Sequence, residues 1–252
     1  MSAWFNRLHP QSWTSFARRE IGPIAAVLGV SLFVQLFMHI AEEMGEGDTG
    51  KFDARILYAL RMPGDPRRPI GPDWLRLAAI DLTSLGSITV LGLIVVGVCG
   101  LFLTLKRPRA AAILFVSSGG GLWLSNSLKD SFGRERPPAI LHAVVANNPS
   151  FPSGHAMLSA TVFLTLGALI SHFVQRRDVR VYILSLSVIL PLLIGTSRVY
   201  LGVHWPTDVL AGWCIGAAWA LAWWMAALGW ERLSPHGSPI HDQGDARIEP
   251  AQ

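Results

Sequence analysis

Six stretches of this chain, residues 21–40, 87–105, 110–128, 155–174, 181–196 and 206–230, are apolar for about the length that crosses a bilayer. A hydrocarbon core of about 30 Å takes roughly 17 to 25 residues of helix. Backbone N–H and C=O groups find no water at that depth, so each stretch must close its own hydrogen bonds as a helix. A closed barrel would need short alternating segments instead, and the sequence has none. The expectation is an all-α polytopic membrane protein, a bundle of six transmembrane helices. Composition agrees, with 51% hydrophobic and only 15% charged residues, against roughly 25% charged in an ordinary soluble domain.

Loop charges set the topology. Arg7, Arg18 and Arg19 precede the first stretch, Lys106, Arg107 and Arg109 join the second to the third, and Arg176, Arg177 and Arg180 join the fourth to the fifth. Short loops rich in Lys and Arg stay in the cytoplasm. Residues 1–20 are therefore expected to be a cytoplasmic segment, with the first stretch a retained anchor because no small-residue cleavage site follows it. Residues 21–230 form the membrane domain, and residues 231–252 a polar, disordered cytoplasmic tail. Cationic residues spread over loops, with no basic face, exclude nucleic acid as a partner. Cys99 and Cys214 lie in apolar stretches without metal-ligand spacing and are expected to act as small core hydrophobes.

The remaining connections face outward. The longest, residues 41–86, is acidic at its start and then places Phe52, Ile56, Leu57 and Leu60 at helical spacing. An interfacial helix capping the bundle fits that pattern, and the connection is too short to bury a core of its own.

Three clusters of polar residues stand on this outward side. In the first, Lys129 and Arg136 leave the third helix before Pro137 stops it. An ammonium and a planar guanidinium suit a phosphate, although snorkelling to lipid headgroups is a plainer use of the same side chains. In the second, Phe151-Pro152-Ser153-Gly154-His155 opens the fourth helix. Ser153 is the expected N-cap, and the first-turn amides make an anion site that Gly154 leaves approachable. His155 stands ready to protonate a departing alkoxide. A simple cap beside a satisfied histidine explains these residues equally well. In the third, Ser197-Arg198 is followed by His204 and Asp208 around Pro206. One turn of helix lets the Asp208 carboxylate fix the His204 tautomer and leave its other nitrogen as nucleophile, with Arg198 neutralising phosphoryl charge. A surface ion pair is the alternative.

Lys129-x6-Arg136-Pro137, Pro152-Ser153-Gly154-His155 and Ser197-Arg198-x5-His204-x3-Asp208 together resemble the three-part signature of the phosphatidic-acid-phosphatase type 2 superfamily, over about residues 52–230. The resemblance implies that Lys129, Arg136 and Arg198 bind phosphate and that Ser153 and Gly154 complete the cradle. It implies that His204 attacks phosphorus to give a phosphohistidine, that Asp208 orients it, and that His155 protonates the leaving group. No metal or other cofactor is implied. The expected partners are a lipid phosphate or diphosphate substrate and the surrounding membrane lipids. The family layout places the chain in the inner (plasma) membrane, both termini cytoplasmic and the active site at the outer, periplasmic helix ends. Two other readings compete with hydrolysis: phosphotransfer to a lipid acceptor, and a non-catalytic lipid-phosphate binding or transport protein. His142 and Asp130 lie in the same outward connection, and Glu135 is read as balancing local charge.

Overall fold

The computed structural model describes residues 10–146 and 148–233. Among these, eight helices are present. They are α1 (Pro10–Glu46), α2 (Thr49–Ala59), α3 (Asp73–Ser84), α4 (Ile88–Thr104), α5 (Pro108–Phe132), α6 (Gly154–Phe173), α7 (Arg177–Tyr200) and α8 (Pro206–Leu233). The expected all-α class needs one amendment. Residues on either side of a Pro63-Gly64 turn pair as a small antiparallel hairpin, β1 (Arg61–Met62) with β2 (Asp65–Pro69). The tail beyond residue 233 and the segment before residue 10 lie outside the described residues.

Four helical segments are long and apolar enough to cross a membrane: Ile21–Glu46, α6, α7 and Pro206–Gly229. A fifth span results if α3 and α4, bent by 51° at their junction, count as one. The chain is thus an integral membrane protein with four to five candidate spans, where the sequence pattern led us to expect six. The difference falls on α5 and, unless it is joined to α3, on the 17-residue α4. At 25 residues α5 covers about 37 Å, but Ser117, Ser118 and the three glycines that follow dilute its apolar character.

Helix ends also depart from the apolar stretches. The first helix continues past residue 40 to Glu46, α5 past residue 128 to Phe132, and α7 past residue 196 to Tyr200. Lys129 and Arg198 therefore sit on final helical turns, where the backbone fixes their direction.

The packing centre is the α6–α8 pair. Gly212 and Gly216, one turn apart on α8, face Ala156 and Ala160 of α6. A methyl group on Gly212 would come within 2.7 Å of the Ser153 carbonyl oxygen. Small residues at this spacing let helix backbones approach closely, the usual adhesive between helices in lipid. This contact brings the start of α6, with Ser153 and His155, beside the start of α8, with Asp208. A second cluster, Leu91, Val95, Phe102, Leu114, Leu158 and Val162, joins α4, α5 and α6, with Cys99 packed against it. Cys214 packs similarly among Phe37, Phe151 and Ala211, so both thiols fill apolar space as expected. The amphipathic segment of the long connection is α2, whose Leu57 is fully buried among Leu141, Ala156, Val199 and Val209.

Candidate active site

His204 lies in the tight turn between α7 and α8, and Asp208 is on the first turn of α8. The four-residue spacing brings His204 Nδ1 to 3.3 Å from Asp208 Oδ2. The same carboxylate oxygen accepts the Trp205 amide at 2.8 Å and the Ser150 hydroxyl. The other ring nitrogen, Nε2, faces Arg136 Nη1 at 3.3 Å. His204 is 1% exposed, and burial, with the charges of Arg136, Arg198 and Lys129, holds it well below the usual imidazole range. The imidazole is therefore neutral, with Nδ1 as the protonated nitrogen when it donates to Asp208.

Three cations converge on this ring. Lys129 is buried and donates to the Pro149 carbonyl at 2.6 Å. Arg136 donates through Nε to Asn148 O and through Nη1 to Val203 O, both at 2.6 Å. Burial pulls the Arg136 guanidinium below its ordinary range, partly offset by Asp208. Arg198 is 5% exposed and donates through Nη1 to Thr83 Oγ1 at 2.9 Å, while its Nε is buried with no hydrogen-bond partner. His155, on the first turn of α6, lies within electrostatic reach of Arg198, His204, Arg136 and Lys129. Gly86, at the bend between α3 and α4, lets that bend pack onto α7 and His155, since a methyl there would clash with Ile194 Cγ2 and come within 3.2 Å of His155 Cδ2.

Ser153 occupies the N-cap position of α6, but its hydroxyl makes no capping bond. That departs from the expectation. The backbone amide of Ser153 instead donates to Asp208 O at 2.9 Å, and its buried hydroxyl has no partner. Gly154 passes close to Lys129 and Ser125, with ordinary contact distances of 3.4 and 3.5 Å to an added methyl. The fold thus brings together every residue singled out in the three motifs: Lys129, Arg136, Ser153, Gly154, His155, Arg198, His204 and Asp208.

The neighbouring residues behave differently. His142 bonds the Pro137 carbonyl at 2.9 Å within its own loop, and burial lowers its imidazole below the ordinary range. Asp130 is exposed. Glu135 meets the cluster through its backbone carbonyl, which accepts from Trp205 Nε1 at 3.1 Å.

Motif spacing missed three residues. Arg134, two positions before Arg136, joins Asp208 Oδ1 at 2.6 Å to Asp53 Oδ2 at 2.7 Å and stacks 5.7 Å from the Trp205 ring centre. Asp53, on α2 and fully buried, also accepts the Thr207 amide at 3.0 Å and the Thr207 hydroxyl at 2.6 Å. It supplies the cap for α8 that the local sequence lacks. Ser150 is the third, through Asp208. One signal for Asp53 was available: it shares a helical stripe with Leu57 and Leu60, an acid on an apolar face. Among the described residues, no group of three or more His, Cys, Asp and Glu stands together as a metal site.

The sequence profile of the PAP2 superfamily matches residues 110–232. The phosphatidylglycerophosphatase B of Bacillus subtilis (strain 168) is 36% identical over 147 residues, spanning 57% of this chain and 70% of that protein. An undecaprenyl-diphosphatase of Sulfolobus acidocaldarius is 34% identical over 126 residues, 48% of this chain and 57% of that protein. The fold is similar to the crystal structure of a transmembrane PAP2-type phosphatidylglycerolphosphate phosphatase from Bacillus subtilis, with a TM-score of 0.71 and 25% identity over 82% of this chain and 98% of that chain.

Proposed function

The chain belongs to the PAP2 superfamily, in which its relatives are named as a phosphatidylglycerophosphatase and an undecaprenyl-diphosphatase, and from that premise we propose that it hydrolyses a lipid phosphomonoester or diphosphate through a phosphohistidine at His204. The observation that carries this reading is a buried imidazole with Asp208 against Nδ1 and Arg136 against Nε2, and with Arg198 and Lys129 within electrostatic reach of the ring.

The phosphoryl group sits among Lys129, Arg136 and Arg198, with the Ser153 hydroxyl and the first-turn amides of α6 completing the cradle around Gly154. The unpartnered Ser153 hydroxyl and Arg198 Nε are donors of the kind that a phosphate oxygen satisfies. His204 Nε2 attacks phosphorus as the bond to the leaving oxygen breaks, and His155, which enters as the imidazolium paired with the bound phosphate, gives that oxygen its proton and is left neutral. The positive charge that develops on the His204 ring is balanced by Asp208. Water then attacks phosphorus, the N–P bond breaks, and His155 takes the water's proton. The three cations supply the electrostatic stabilisation that metal ions supply in other phosphoryl-transfer enzymes, so no metal is required.

The cationic loop segments and the six apolar stretches support a six-crossing layout in the inner membrane, with α5 a packed crossing, both termini cytoplasmic and the cluster at the outer helix ends. Residues 21–230 are the catalytic membrane domain in this layout. Candidate substrates are undecaprenyl diphosphate, phosphatidylglycerol phosphate and phosphatidic acid, whose shared feature is the terminal phosphate.

The test is phosphate release from each lipid by the detergent-purified chain in EDTA. Release that persists in EDTA, with an acid-labile phosphorylated peptide containing His204 trapped at early times, is the expected result. Release abolished by EDTA, or undiminished in His204→Ala, overturns the mechanism.

A further inference from the structure

At the end of the bundle opposite His204, α5 begins, α6 ends, and the last turns of α8 pass beside them. Together they enclose a cavity of about 360 Å³, within the roughly 300–1,000 Å³ range of small-molecule sites. Its walls are apolar, with Ile113 and Ala220 buried and Trp224 half-buried. Its mouth carries Lys106, Arg107, Arg109 and His172, and none of the lining residues is acidic. Arg107 is the N-cap residue of α5, so the first-turn amides and the dipole of a 25-residue helix add positive potential at the same place. The Arg107 guanidinium lies 4.9 Å from the Phe173 ring centre, which fixes it at the rim.

Inside the cavity, Thr165 of α6 is 3% exposed, and its hydroxyl has no hydrogen-bond partner. Buried hydroxyls are normally paired, and one that is not points to an acceptor from outside the chain. The bias of Lys and Arg toward one side of a membrane explains cations at this depth. It explains neither the cavity nor the hydroxyl within it.

We infer that this cavity binds an anionic phospholipid, a diacyl phosphodiester of the surrounding leaflet. Its phosphate lies at the Lys106–Arg107 turn, one acyl chain lies between α5, α6 and α8, and an ester carbonyl is the acceptor for Thr165. Basic pockets between membrane helices select such headgroups. Along α6 the rim at Phe173 lies 18 residues from His155, about 27 Å, and Thr165 about 15 Å from that histidine, so the lipid phosphate is remote from the catalytic cluster and the lipid is a ligand, not the molecule hydrolysed.

The test uses the full chain in detergent with phosphatidylglycerol that carries a photoreactive diazirine in one acyl chain, a phosphodiester without a terminal phosphate. Adducts mapped by mass spectrometry should fall on peptides containing Ile113 and Trp224. Removing a cation, in Lys106→Gln or Arg107→Gln, should lower their yield about fivefold each, with phosphatase turnover unchanged. Ile113→Trp, which fills the cavity and keeps the cations, should remove them. Phosphatidylcholine carrying the same diazirine should label at least fivefold less. Equal labelling by the two lipids, or adducts insensitive to both kinds of variant, would overturn the site. Crosslinks from a photoreactive residue at position 113 into residues 234–252 would also overturn it, by giving the cavity a different occupant.

Discussion

Residues 129–208 and residues 49–86 meet at one catalytic cluster but differ in what they contribute. The first region supplies every group proposed to act on the phosphate: Lys129, Arg136 and Arg198, the α6 N-terminus with His155, and His204 with Asp208 behind it. The second supplies groups that hold those in place. Asp53 caps α8 and anchors Arg134, Thr83 holds Arg198, and Gly86 lets the α3–α4 bend press on His155. The family profile covers residues 110–232 and so includes the first region only. A group that touches the reacting atom must be one residue type at one spacing. A supporting group needs only to deliver a carboxylate or hydroxyl to a point in space, and any element that packs there will serve.

That contrast predicts a graded set of losses. The largest belongs to the reacting group: His204→Ala should lower phosphate release on the order of 10,000-fold with the thermal unfolding midpoint little changed, as measured in detergent. A variant retaining a tenth of wild-type turnover would break the contrast at its strong end.

Asp53→Ala should act chiefly on stability. It removes one of the two buried carboxylates that hold Arg134 and the acceptor of the Thr207 amide and hydroxyl, and breaking a buried pair costs about 3–5 kcal/mol. Thermal unfolding of Asp53→Ala, Arg134→Met and the double variant should show strong coupling, the double variant losing less than the sum of the two. Additive losses would mean that the two residues support the site independently.

Thr83→Val is smaller and sharper. It keeps shape and removes the oxygen that accepts from Arg198 Nη1, a bond to a charged group worth about 1.5–3 kcal/mol. The expected signature is about a tenfold rise in KM with kcat held, because Arg198 remains but is less well aimed. A fall in kcat alone would place Thr83 closer to the chemistry.

The pH dependence is the mildest effect. His204 is held below its unfolded value of about 6.5, so the folded state takes up its proton later than the unfolded chain does. Its contribution to stability is complete above that unfolded value and is lost as pH falls toward the folded one, at no more than about 1.4 kcal/mol per pH unit. Unfolding midpoints measured from pH 7 downward should fall less steeply in His204→Gln. Identical slopes would show that other groups govern the acid limb.

The sequence revealed much of this site because the chemistry constrains residue type and spacing together. His204 and Asp208 are one helical turn apart, so their contact was legible without a fold. Arg134 stood in plain view between Gly133 and Glu135 but carried no spacing signal, since its partners are 81 and 74 positions away. The crossings were less legible. Apolar length marks residues 21–40 clearly, whereas α5 is diluted by the serines and glycines that its packing against neighbours allows.

By itself, then, the sequence determined that the chain is a helical membrane protein, which residues are the candidates for the chemistry, and which loops carry the cations. The first two follow from short-range rules: a backbone in lipid must bond within its own helix, and a catalytic pair must sit within one turn. Only the tertiary structure decided that Asp53 caps a helix more than 150 residues away, that Ser153 leaves its hydroxyl unpaired, and that a cationic cavity opens at the far end of α5, α6 and α8. These depend on where Gly212 and Gly216 bring two helices together, and close packing between distant segments leaves no periodic trace in the chain.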